Sequence, residues 1–183
     1  MIQRMIRASR LDRMLYREVA ADPKEMTQAV IVILLVAIAS GIGTGTAGIF
    51  SGGASRGALG FVGGIIAVFI AWLFWSYITY AVGRYAFEVD TTPGAMLRAI
   101  GFAQSPAVLN ILGGIPCVGG LLGIVVLLWT LVASFIAVRE TLRLDNTRTL
   151  IAVVAGFIVA LMIFAFVYAV FGAAGSFFGL FGQ

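Results

Sequence analysis

Five stretches of this chain run for some eighteen to twenty-four residues almost without charge, at residues 27–48, 59–82, 95–112, 118–138 and 150–171. No other feature restricts the fold as strongly. A bilayer core about 30 Å thick is crossed by roughly 20 apolar residues in a helix. Its interior offers no water to backbone amides and carbonyls, so only helices and closed barrels span it. The runs are continuously apolar and do not alternate, so helices are predicted. Across 183 residues, 61% apolar and 11% charged, there are too few polar side chains to clothe a water-facing surface. The predicted fold is all-α: a polytopic membrane protein with five transmembrane helices over residues 26–171. An amphipathic interfacial arm (1–25) precedes them and a short Gly/Phe-rich outer tail (172–183) follows.

The third run is the most polar, since Arg98, Gln104, Ser105, Pro106 and Asn110 fall inside it. Positive charge decides whether it spans. If all five runs cross with the N-terminus inside, eleven of the twelve basic residues lie on the inner side, and only Arg56 lies outside. A re-entrant third run would leave eight inside against four outside. Five spans, with a cytoplasmic N-terminus and the C-terminus on the outer side of the cell (inner) membrane, fit the charges better. Ala37-Ile38-Ala39 has the form of a signal-peptide cleavage site. However, the 25 residues ahead of the first run carry four acids as well as six bases, unlike a short basic leader, so a retained helix is expected.

In the arm, Ala8, Leu11, Leu15 and Val19 recur at helical spacing, with Arg10, Arg13 and Arg17 on the opposite side. Such a helix can lie in the headgroup layer with its arginines near anionic lipid phosphates, or pack on the inner ends of the bundle or on a partner. Asp22-Pro23-Lys24-Glu25 reads as a helix start, with Asp22 as cap, Pro23 first, and Glu25 placed to return a bond. Gly41 to Gly57 reads as a Gly-rich outer stretch, Thr91 to Gly94 as a turn, and Arg139 to Arg148 as a charged inner hairpin. Trp72, Trp75, Tyr77, Tyr80 and Tyr85 read as interfacial anchors.

The chain has no histidine and one cysteine, Cys117. This removes His-dependent triads and metal sites, an intrachain disulfide and any CxxC pair. Gly43 to Gly48 has GxGxxG spacing, but at the end of a membrane helix, where a dinucleotide site would need a preceding strand. Gly53 to Gly57 has GxSxG spacing, but Ser55 has no base: Lys24, the only lysine, falls across the membrane. Pairs at Gly60/Gly64, Gly119/Gly123 and Gly175/Gly179 suit close helix packing in lipid. No acid falls inside a span, which argues against proton- or sodium-coupled transport and against a paired-aspartate protease.

The candidate polar site is therefore Arg98, Gln104, Ser105 and Asn110. It is either a polar path at membrane depth, or an interfacial arginine beside amides that bond neighbouring helices. Arg98, Gly101, Phe102 and Ser105 share one helical face, while Gln104 and Asn110 point elsewhere.

The segment Met96-Leu97-Arg98-Ala99-Ile100-Gly101-Phe102-Ala103-Gln104-Ser105-Pro106 resembles the Yip family of multi-pass membrane proteins, in its bacterial branch. Gly-Gly-Ile-Pro-Cys-Val-Gly-Gly at Gly113 to Gly120, Trp129, and Ala137 to Leu142 agree with it. The resemblance implies a five-helix bundle with a cytoplasmic N-terminus. Its eukaryotic members bind Ypt/Rab GTPases, which the short arm of this chain does not carry over, and it brings no catalytic residues. The expected function is non-enzymatic: a scaffold, assembly factor or accessory subunit acting through helix contacts and through Arg10, Arg13 and Arg17 at the membrane surface. The alternative is a transporter or channel for a small solute or lipid that uses the third run. Expected partners are anionic headgroups, other membrane subunits or a second copy; neither a cofactor nor nucleic acid is expected.

Overall fold

A computed structural model describes residues 1–116 and 118–181, with the backbone alone for 172 and 175–181. Among the described residues every regular element is helical: α1 (Ile2–Ser9), α2 (Arg13–Ala21), α3 (Met26–Ala81), α4 (Pro93–Ala103), α5 (Val118–Leu142) and α6 (Asn146–Phe181). Short 3-10 segments at Pro23–Glu25 and Ser105–Leu112 and a π turn at Val82–Ala86 complete the path. Three helices are long and apolar enough to cross a membrane, and α4 with the 3-10 segment after it would form a fourth, bent by 43°.

The first of these is not straight. Fifty-six residues of α3 would reach roughly 84 Å, far beyond a bilayer. The chain instead doubles back at Gly52 and Gly53, the latter at φ 81° and ψ −170°, a conformation open in practice only to glycine. The limbs on either side pack closely. A Cβ at Gly60 would stand 2.7 Å from the Thr44 carbonyl oxygen, and Thr44 Oγ1 donates to Gly60 O at 2.7 Å. The outer stretch Gly41 to Gly57, of which residues 49–57 fall outside the expected spans, is thus helical on either side of Gly52 and Gly53. Glycine's low helix propensity is outweighed where lipid forces the backbone to bond internally and a neighbouring helix fills the space above it. The GxGxxG run at Gly43 to Gly48 forms part of this contact and of the contact with the 3-10 segment.

The third run also differs from a continuous helix. Thr92 caps α4 by accepting from Ala95 N at 3.2 Å, and Pro93 takes the first helical position. Pro106 has no N–H to offer the Phe102 carbonyl. The Ser105 hydroxyl donates to that carbonyl instead, at 2.6 Å, and the chain tightens into 3-10 geometry.

Further differences lie at the ends. The arm is two helices, broken at Leu11 (φ 63°). Asp22 caps the turn at Pro23, but Glu25 pairs with Arg4 instead of returning a bond. Residues 172–181 continue α6. Cys117 lies outside the described residues, as do the surroundings of the Gly175/Gly179 pair.

Candidate functional site

Helices α1 and α2 have eight and nine residues, shorter than the roughly 12–15 at which isolated helices become stable in water. They must therefore be held by what they touch. Ala8, Leu15, Tyr16 and Val19 are fully buried in the protein core. These four side chains thus pack on the bundle, where α2 lies against α4 and α5, while Ile2, Ile6 and Met14 of the arm stay exposed. Arg7 donates to Asp12 Oδ2 at 2.7 Å and to Glu18 at 3.1 Å. Those hydrogen bonds raise the Arg7 pKa and hold the Asp12 carboxyl below its ordinary range.

The arm is fastened where its helices end. The last carbonyls of any helix lack partners within it and carry partial negative charge. At the end of α1, Ala8 O accepts from Tyr16 Oη at 2.9 Å, and Ser9 O accepts from Trp129 Nε1 at 2.8 Å. Burial raises the Tyr16 phenol pKa, so it stays a donor. At the end of α2, Val19 O and Ala20 O accept from Arg98 Nε and Nη2 at 2.7 and 2.5 Å. A buried arginine from α4 thus caps a helix some 80 residues away in sequence. Beside it, Arg17 Nε donates to Glu140 Oε2 at 2.6 Å, with Arg13 at 4.0 Å from Oε1. Glu140 is itself buried near the end of α5. Arg139 and Arg143 line the same open depression as Arg17 and Glu140.

The four residues expected to form one polar site therefore divide. Arg98 faces the arm, and Ser105 bonds its own helix. Only Gln104 and Asn110 reach a common space, a cavity of about 330 Å³ between both limbs of α3, the 3-10 segment, α5 and α6. Asn110 Nδ2 donates to Ser40 Oγ at 3.3 Å. Arg10, Arg13 and Arg17 are all exposed, and Arg10 stands apart from Glu140.

A family profile, the Yip1 domain, matches residues 13–181. The chain belongs to the Yip1 domain family. Comparison with curated proteins and with solved structures returns no match. Membership agrees with the apolar helices in marking an integral membrane protein. The family match begins at Arg13, the first residue of α2, so it takes in the part of the arm that Arg98 caps.

Sequence reasoning missed two tryptophans and an acid. Trp72 and Trp75 are buried, and Trp72 Nε1 donates to Leu97 O at 3.0 Å. Only Tyr77 and Tyr85 of the expected aromatic belt are exposed. Glu140 was legible only as a boundary residue. Its four-residue-or-less distance from Arg139 and Arg143 was visible, but its tie to the arm, 123 residues away, was not.

Proposed function

We propose that this Yip1-family protein is a non-enzymatic membrane component that works by contact, as a scaffold, assembly factor or accessory subunit. Five spans carry it: the two limbs of α3, the bent third run, α5 and α6. The N-terminus is cytoplasmic and the C-terminus is on the outer side of the cell (inner) membrane. The observation that carries the reading is the arm. Ala8, Leu15, Tyr16 and Val19 are buried on the bundle and its helix ends are tied down by Arg98 and Trp129, while Arg10, Arg13 and Arg17 stay exposed, as do Ile2, Ile6 and Met14. A short segment held this firmly presents a fixed basic surface, suited to anionic headgroups and to acidic faces of other subunits or of a second copy.

Extraction in mild detergent after crosslinking in the membrane tests this. The expected result is a defined complex or oligomer that is lost when Arg10, Arg13 and Arg17 are changed to Glu. A lone monomer in the wild type, together with unchanged membrane complexes after deletion of the gene, would contradict it.

One observation favours the second reading, transport of a small solute or lipid: Gln104 and Asn110 do line an interior cavity. Arg98 and Ser105 do not. Flux through liposomes that falls with Gln104→Leu would favour transport over the contact role.

A further inference from the structure

The cavity has three properties that together describe an occupant. The first is the direction of its mouth. Leu127, Leu161 and Tyr168 line it and are also 43%, 45% and 40% exposed, so it opens between α5 and α6. The outer faces of those helices present Ile124, Leu128, Met162 and Phe166. A surface of that kind faces lipid, so the mouth opens sideways into the bilayer.

The second property is charge. Among the described residues no Asp, Glu, Lys or Arg lines the cavity. A group carrying a net charge would lose its hydration there and gain no counter-ion. A sugar or amino acid, polar on all sides, would meet Val126, Phe157 and Phe164 without compensation.

The third property is hydrogen-bonding capacity. The Gln104 side chain has no protein partner among the described residues, and the side-chain carbonyl of Asn110 is likewise unused, its amide alone bonding Ser40. These groups lie on the wall formed by the 3-10 segment and the first limb of α3. The facing wall, from α5 and α6, is apolar and aromatic apart from Thr130, whose hydroxyl donates to Val126 O, and the phenol of Tyr168. The volume, about 330 Å³, lies at the lower end of the roughly 300–1,000 Å³ found for small-molecule sites.

We propose that this cavity binds one chain of an uncharged membrane amphiphile. Its hydroxyl, ester or amide end bonds Gln104 and Asn110, and its tail lies along Val126, Leu127, Phe157 and Phe164. The ligand comes from the bilayer between α5 and α6. The site is a holding site and rests on neither the contact role nor the transport role.

Gly123 provides the test, because it lines the cavity and a Cβ there meets nothing within 4 Å. Gly123→Phe starts from that open position and adds a ring at the cavity wall. The full-length protein in phosphatidylcholine nanodiscs is labelled with a monoacylglycerol carrying a diazirine in its chain, or with the lysophosphatidic acid of the same chain. The neutral probe should label residues lining the cavity about fivefold more than the phosphate probe. Gly123→Phe should abolish that labelling while Leu128→Phe, on the lipid-facing side, leaves it intact, and Gln104→Leu should reduce it. Equal labelling by both probes, or labelling unaffected by Gly123→Phe, would overturn the proposal. If Gly123→Phe does not fold, competition by unlabelled monoacylglycerol on the wild type decides. Saturable displacement supports the site, and labelling that never saturates overturns it.

Discussion

Arg98 shows how a single side chain can set the conformation of a distant segment. Its guanidinium offers several N–H donors in a fixed fork. Two of them meet Val19 O and Ala20 O, and its charge sits at the negative end of α2. Removing it leaves buried carbonyls without partners. Arg98→Ala should therefore cost about 2–3 kcal/mol and free the arm, seen as rapid proteolysis within residues 10–25 while the bundle stays intact. Arg98→Lys, with one compact donor group, should restore only part of the protection. Asp12 gives the arm a pH dependence. Its carboxyl is held below its ordinary range chiefly by the hydrogen bond from Arg7, so this contact contributes fully above the unperturbed value of about 3.9. The contribution is lost as pH falls through the lowered folded value. Protease sensitivity of the arm should rise on acidification below about pH 4, and Asp12→Asn should remove that step.

Among the elements, α3 carries the clearest consequence. Gly53 occupies a backbone region that an L-residue enters only under strain, so Gly53→Ala should cost about 1–3 kcal/mol. Gly60→Leu, directed at the Thr44 carbonyl, should cost a similar 1–3 kcal/mol by overpacking. Melting temperature in detergent checks both, with Gly120→Leu, where a Cβ meets nothing within 4 Å, as the tolerated control. The apolar runs and the Gly60/Gly64 pair were readable because hydrophobicity and side-chain size are local properties, whereas Gly123 of the Gly119/Gly123 pair faces open space. The break at Leu11 was not readable, since a leucine at positive φ has no composition signal. Nor was the burial of Trp72 and Trp75: aromatic residues near the end of a span look the same whether they face headgroups or a neighbouring helix. For the candidate site, helical periodicity put Arg98 and Ser105 on a different face from Gln104 and Asn110. It could not say that the first pair meets the arm and its own backbone, and the second a cavity, because periodicity assigns a face and not a partner.

Over the whole molecule, the placement of charge follows the architecture. The arm, Arg98 and Glu140 meet at one end of the bundle, the end that the proposed topology places in the cytoplasm. Ser55 lies beside the Gly52–Gly53 fold-back of α3, and Thr147 lies at the start of α6; both are exposed. If the limbs of α3 are two spans and the bent third run is another, these residues stand on opposite sides of the membrane. Single cysteines at Ser55→Cys and Thr147→Cys, each in a Cys117→Ser background, can be tested with an impermeant maleimide. In right-side-out vesicles the first should label and the second should not, and inverted vesicles should reverse the pattern. Labelling of both from the same side would contradict the five-span account.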